Sequence, residues 1–273
     1  MEQTIGFIGI GNMGMAMIKG MLVSQIIKAE QIIAYKMMPD KIKQLGKEQV
    51  INIATSEIEV AQKSDILFLA VKPNTIVPVL EKIKSSLSTN TVIVSVAAGI
   101  TLDTMEKILG TNYKIIRTVP NTPALVNAGM TSITRNSQVS DAELNTVMSL
   151  FNALGKTEVV PEHLIHAVTG ISGSSPAYVF MFIEALADAG VLTGMQRSQA
   201  YKFAAQAVLG AAKMVLDTGK HPGELKDMVC SPGGTTIEAV KTLENRALRS
   251  AVIEAVTSCV KKSESMSNNS NNK

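Results

Sequence analysis

TIGFIGIGNMGMAMIKGMLVS, residues 4–24, sets a nearly continuous apolar run against the spacing Gly9-x-Gly11-x-x-Gly14 and then against a run of helix-forming residues. Glycine serves a separate purpose at each of these positions. The first lets a strand turn tightly, the second lets an anion approach the backbone, and the third lets the following helix pack close to the strand. The unpaired N–H groups at the start of that helix then attract the anion. Strand, glycine turn and helix in this order predict a dinucleotide-binding βα unit at the start of the chain.

Further along, QIIAY, DILFLA, TVIVSV and KIIRTV repeat the apolar run, each separated from the next by a helical segment. Runs without polar alternation suit strands covered on both faces, so residues 1–160 are expected to form a Rossmann-type, doubly wound α/β domain with a parallel sheet. Ser56-x-x-Glu59 and Ser140-x-x-Glu143 have the spacing of capping boxes and mark two helix starts. From about Pro161 the β-branched runs give way to Ala, Leu and Met, and residues 161–262 are expected to be all α. Helices such as AYVFMFIEALADAGV and AAQAVLGAAKMVL are apolar nearly all round, more than a small helical unit covers alone, which predicts a homodimer. The polar tail SESMSNNSNNK, 263–273, is expected to be disordered.

Composition narrows the function. Hydrophobic residues make up 46% of the 273 and charged ones 18%, with a net charge of +3 spread along the chain, so no nucleic-acid partner is expected. Cys230 and Cys259 are the only cysteines, too few for a disulfide framework or a metal knuckle, and together with a start that lacks an export signal they suggest a reducing cytoplasm. Tyr178–Leu192, the most apolar stretch, contains Glu184 and Asp188 and is shorter than a membrane span. It reads as a buried helix, and no membrane is expected.

A dinucleotide fold specific for NAD carries an acid at the end of its second strand. Here that place reads Ala34-Tyr35-Lys36-Met37-Met38, and Lys36 suits a 2′-phosphate, favouring NADPH with NADH as the alternative. Lys72-Pro73 and Ala97-Ala98-Gly99 stand where two further strands end, positions at which open α/β sheets bind ligands. Near the other end, SPGGTTIEAV, residues 231–240, offers a second anion cradle. Gly233 and Gly234 permit backbone conformations that gather N–H groups, and Thr235-x-x-Glu238 is capping-box spacing for a helix whose dipole would favour a carboxylate.

FIGIGNMGMAM, LAVKPN, SVAAGI, VPNTPA, AVTGISGSSPAYVF, ALADAGV and DMVCSPGGTTIEAV together resemble the pyrroline-5-carboxylate reductases over nearly the whole chain, and the last is close to the family signature. The resemblance implies NAD(P)H-dependent reduction of 1-pyrroline-5-carboxylate to L-proline, a Rossmann domain followed by a helical dimerisation domain, and in some members a ring of five dimers. It places the cofactor on Ile8, Gly9, Ile10, Gly11, Asn12 and Met13, on Ala70, Val71, Lys72 and Pro73, and on Val96, Ala97 and Ala98, with Asn121 and Thr122 near the nicotinamide. The substrate carboxylate falls on Ser231, Gly233, Gly234 and Thr235, the ring nitrogen beside the catalytic hydroxyl of Thr236, and Glu162 at a position that touches product in relatives. The chain departs from the family at Ser175, which replaces a glycine in GSSPAY. Met37 and Glu57 also stand where relatives often carry neutral polar residues around the 2′-phosphate.

Reduction of an imine by hydride needs orientation and shielding more than a strong base, which suits a sequence with no Ser-His-Asp pattern. His163-x-x-His166 has helical spacing beside Glu162, but no further cluster supports a metal, and Cys230 reads as packing. A β-hydroxyacid dehydrogenase, the nearest rival, would need a lysine where Val179 stands.

Overall fold

The computed structural model describes residues 2–35 and 51–271. The chain divides into two compact units, one formed by Met1–Gly173 with Cys259–Lys273 and the other by Ser174–Ser258. The compositional change near residue 160 therefore precedes the division between units, which falls at Gly173.

In the first unit, strands β1 (Ile5–Ile8), β2 (Ile32–Tyr35), β3 (Asn52–Ile53), β4 (Ile66–Leu69), β5 (Val92–Ser95), β6 (Lys114–Val119), β7 (Gly129–Arg135) and β8 (Gly155–Val159) form one sheet in the order 3-2-1-4-5-6-7-8. All pairs are parallel except β6 with β7. The first six strands have the order of the dinucleotide-binding fold, which reverses direction between β1 and β4. The five apolar runs are β1, β2, β4, β5 and β6. Their alternate residues feed two separate cores: Ile5, Phe7, Ile66, Phe68, Val92 and Val94 face one, and Ile8, Leu67, Leu69 and Ile93 the other. This two-sided burial is why these strands carry no polar alternation.

Helices α1 (Asn12–Val23), α2 (Glu57–Lys63), α3 (Pro73–Ile83), α4 (Leu102–Leu109) and α5 (Asp141–Asn152) cover the sheet. Met17, Met21, Val147 and Phe151 of α1 and α5 enter the first core, and Val60, Ile76, Leu80 and Met105 of α2, α3 and α4 the second. Phe68 stacks on Phe7 at 4.9 Å and meets Phe151 edge-on at 5.7 Å. Both serine caps form: Ser56 Oγ accepts from Glu59 N at 3.2 Å, and Ser140 and Glu143 make the full reciprocal box. After β8 come a 3₁₀ turn at Glu162–Leu164, the short α6 (Ile165–Val168) and a π turn at Thr169–Gly173.

The second unit is helical: α7 (Ser175–Leu192), α8 (Arg197–Thr218), α9 (Pro222–Val229) and α10 (Thr235–Asn245), followed by α11 (Leu248–Asn271), whose residues from Cys259 onward belong to the first unit. Ser175 opens α7 with Pro176 beside it, a position where the missing proline N–H costs nothing. Two expectations need correction. First, α7 is not buried within the chain: only Ala187 is fully covered, while Phe180 and Met181 are 63% and 69% exposed. With the turns before it, it belongs to the one helical stretch among the described residues, 162–192, long and apolar enough by length and composition to cross a membrane. Second, the polar tail is helical to Asn271, because it prolongs α11 and is tied to its own unit where Ser263 Oγ lies 2.9 Å from His166 Nδ1.

Candidate functional site

At the carboxyl end of β1 the chain turns through Gly9 at φ +90°, with its N–H donating to Tyr35 O at 3.0 Å. A Cβ there would sit 2.8 Å from the Ala70 carbonyl, so only glycine fits. Gly11 is the N-cap of α1 in an extended conformation, with no capping hydrogen bond from a side chain and no acid in the first turn. The positive end of the helix and its unpaired N–H groups are therefore unclaimed by the chain's own side chains. A Cβ on Gly11 would meet nothing within 4 Å, whereas one on Gly14 would stand 2.7 Å from Gly9 O. Open space over the middle glycine and tight packing at the third are what a pyrophosphate resting on this helix requires, so the residues fit a dinucleotide.

Beside this turn lies a cavity of about 240 Å³ lined by the loop Ile8–Gly11, by Ala70, Val71 and Lys72 after β4, and by Tyr35, Glu57, Thr75 and Val79. It occupies the reversal point of the sheet, between the carboxyl ends of neighbouring β1 and β4. Lys72 caps α3 in extended conformation with Pro73 at its first position. Sequence reasoning missed Tyr35, Thr75 and Val79 as lining residues. Tyr35 at the end of the second strand carried a signal, while Thr75 and Val79 share a face of α3 only by their i, i+4 spacing. Glu57, 12% exposed, pairs through Oε2 with Lys82 Nζ at 2.8 Å, and the hydrogen bond and charge of Glu57 push the Lys82 ammonium upward. Lys36 and Met37 lie outside the described residues.

Val96, Ala97 and Ala98 are not on this cavity. They form the turn after β5, where Ala97 N donates to Ser95 Oγ at 3.3 Å and Gly99 follows at φ +78°. Asn121 is nearly buried and its amide is engaged on both sides: Oδ1 accepts from Met130 N and Nδ2 donates to Ser172 O, each at 2.9 Å. Its neighbour Thr122 is exposed and begins a 3₁₀ turn. Glu162 Oε1 accepts from Leu102 N and from Arg117 Nη1, both at 2.8 Å.

In the second unit, Ser231-Pro232-Gly233-Gly234 is a β-turn closed by Gly234 N donating to Ser231 O at 3.0 Å, with Gly233 at φ +66°. Proline second and a positive-φ glycine third are the residues that a type II turn demands. The turn runs into α10 at Thr235, as the sequence suggests, but the expected capping box does not form. The N-cap is Gly234, extended at φ −80°, and no side chain caps it. Thr235 and Thr236 stand one and two positions too late to cap, already inside the helix, and α10 starts with free N–H groups beside two hydroxyls. Thr236 is half-buried and Thr235 exposed.

Cys230 and Cys259 are half-buried and are not joined in a disulfide. Among the described residues no group of three or more His, Cys, Asp or Glu could hold a metal.

A Rossmann-ordered sheet, an open glycine cradle at its reversal point and a separate helical unit with a second cradle define a dinucleotide-dependent oxidoreductase fold. Residues 162–266 match the family described as pyrroline-5-carboxylate reductase dimerisation, and residues 4–99 match that described as NADP oxidoreductase, coenzyme F420-dependent. The pyrroline-5-carboxylate reductase of Escherichia coli K12 is 58% identical over 98% of this chain and 99% of its own. A solved pyrroline-5-carboxylate reductase from Coxiella burnetii is 34% identical with a TM-score of 0.92, covering 97% of this chain and 98% of its own. One from Plasmodium falciparum, with NADP bound, is 32% identical at a TM-score of 0.87 with the same coverage. The chain belongs to the pyrroline-5-carboxylate reductase family.

Proposed function

We propose that this chain reduces 1-pyrroline-5-carboxylate to L-proline, the last step of proline biosynthesis, using NADPH with NADH as the alternative. The observation that carries this reading is the pairing of an open helix N-terminus at Gly11 with a second one at Gly234, in a chain 58% identical to the E. coli enzyme over 98% of its length. Two anionic ligands, a pyrophosphate and a carboxylate, then have one cradle each.

Residues 1–160 serve as the dinucleotide-binding part and 161–262 as the helical part that binds substrate and partner. Ile8 to Gly14 and Ala70 to Pro73 hold the pyrophosphate and adjoining ribose. Lys36 supplies the charge for the 2′-phosphate, and Val96, Ala97, Ala98, Asn121 and Thr122 lie toward the nicotinamide. A bound reduced nicotinamide supplies the hydride that the imine carbon accepts. Ser231, Gly233, Gly234 and Thr235 bind the substrate carboxylate through the turn and the free N–H groups of α10. The Thr236 hydroxyl hydrogen-bonds the ring nitrogen, orienting the imine and holding the nitrogen's proton as it becomes an amine. Glu162 stands near product.

Phe180, Met181, Phe203, Leu209 and Ile253 are exposed apolar residues of the second unit, and a second copy of the chain covers them in a homodimer, with a ring of five dimers as a further assembly. Glu184 and Asp188 within the apolar helix favour that cover over lipid, and the protein is placed in the cytoplasm, without nucleic-acid or membrane partners. The test is loss of reduced-nicotinamide absorbance on adding pyrroline-5-carboxylate. Binding of NADPH without turnover would leave a cofactor-sensing protein instead.

A further inference from the structure

Residues 162–173, the 3₁₀, α6 and π turns after β8, are fastened at both ends, first to strand β6 and the start of α4 and last to the loop after β6. At the first end, Glu162 Oε1 takes Leu102 N and Arg117 Nη1, each at 2.8 Å. At the last end, Ser172 O takes Asn121 Nδ2 at 2.9 Å. Between them the segment is tightened by Thr169 Oγ1 donating to Ile165 O at 2.8 Å and Ser172 Oγ to Val168 O at 3.1 Å.

The first fastening is an unusual use of charge. Arg117 rises from the interior strand β6, in register with Ser95 on one side and Thr134 on the other, and is 2% exposed. Its Nε has no hydrogen-bond partner, so the pairing with Glu162 is its main compensation for burial. The pair is buried on the arginine side only, Glu162 being 31% exposed, and contributes little net stability against an apolar replacement, but it holds its partners in one fixed geometry. Leu102, the other donor, is the first residue of α4, immediately after the turn Val96–Thr101. Thr101 caps the same helix by accepting from Thr104 N at 3.1 Å. The turn is thus fixed at its far end by a carboxylate anchored to a rigid strand, while Ala97 and Ile100 hold its middle against the second core and Gly99 turns the chain between them at φ +78°.

We infer that Glu162 and Arg117 form a positioning pair that sets where the Val96–Thr101 turn stands over the sheet edge, and through it the height at which a bound nicotinamide rests. The inference builds on the proposed reductase activity. It gives Glu162 a task exercised through Leu102 N, where the family resemblance implies contact with product.

Three readouts on Glu162→Gln test it, with the wild type alongside. In the cofactor-free full chain, amide hydrogen exchange over residues 96–104 should be several-fold faster, because an amide oxygen still reaches Leu102 N but leaves the Arg117 charge unpaired. In turnover, kcat should fall by up to roughly a hundredfold for a displacement of the ring on the scale of an ångström, with an unchanged KM for the imine. The isotope effect from 4-deuterated cofactor should be larger, since hydride transfer becomes slower relative to the other steps. The double variant Glu162→Gln with Arg117→Met removes the unpaired charge and should recover most of the amide protection; it also serves if the single variant does not fold. Wild-type exchange over 96–104 would overturn the inference, as would a raised imine KM with kcat intact, the mark of a direct contact. Absence of turnover in the wild type would instead sink the reductase reading, and the exchange measurement would still decide the positioning pair.

Discussion

Replacing Gly11 with alanine separates a ligand site from a structural turn, because the structure makes the two consequences independent. Gly11 is extended at φ −82° and an added Cβ meets no protein atom within 4 Å, so the methyl introduces neither backbone strain nor a clash. Alanine is a poorer N-cap than glycine by roughly 0.5–1 kcal/mol, and it gains about 0.4–1 kcal/mol from a less flexible unfolded chain. Stability should therefore stay within about 0.5 kcal/mol of wild type. The ligand has no such freedom. A methyl extends roughly 1.5 Å from the backbone, and a pyrophosphate pushed back by about 1 Å lengthens hydrogen bonds of ~2.9 Å beyond their useful range. Losing one bond to a charged group costs about 1.5–3 kcal/mol, which is roughly a ten- to hundredfold weaker NADPH affinity. Titration calorimetry and thermal unfolding on the same preparation measure both quantities. Gly9→Ala is the control with the opposite pattern: φ +90° and a Cβ 2.8 Å from the Ala70 carbonyl should destabilise the fold itself. Unchanged NADPH affinity in a stable Gly11→Ala protein would refute the first cradle.

Thr236→Ala should lower kcat/KM for the imine strongly while changing the unfolding midpoint little, since the hydroxyl caps nothing in α10; wild-type kinetics would return the 231–240 stretch to a plain helix start. Glu57→Gln should shift the ratio of kcat/KM values toward NADPH by removing a carboxylate from the cavity wall and releasing Lys82, and an unchanged ratio would show that Glu57 does not face the adenosine ribose. The hydrogen bond from Lys63, followed by those from the Thr55 amide and hydroxyl, draws the Glu59 carboxyl down from 4.5 to about 2. Being depressed in the fold, it contributes stability that is present above the unfolded value and lost as the pH falls toward 2. Glu59→Gln should accordingly flatten the acid limb of the unfolding midpoint in that window, and a parallel shift at all pH values would contradict the assignment.

What the amino-acid sequence reveals depends on where each residue's partners lie. Strands β1, β2, β4, β5 and β6 are legible because burial on both faces is written along each strand as uninterrupted apolar residues. Strand β7, GMTSITR, is buried too, but Thr131, Ser132 and Thr134 break the apolar run; Thr134 Oγ1 satisfies itself on Val160 O at 2.7 Å, a partner 26 positions away. Strand β8, GKTEV, runs at the edge of the sheet with Lys156 exposed and shows no apolar stripe. The cradle glycines were readable because each answers a local demand of backbone and space. The Glu162 fastening was not, since its donors stand 60 and 45 positions away and no spacing rule links them. The α10 cap failed for a subtler reason. Thr235 and Glu238 have capping-box spacing, but the turn at Pro232 and Gly233 delivers the chain to Gly234 already extended, so the glycine takes the cap and the hydroxyls are left for another partner. Helix α7 follows the same logic on a larger scale: its apolar residues specify burial without specifying by what, and in a single chain Phe180 and Met181 remain open. Sequence therefore states the demand for cover, and the family assembly implied by residues 162–266 indicates where that cover comes from.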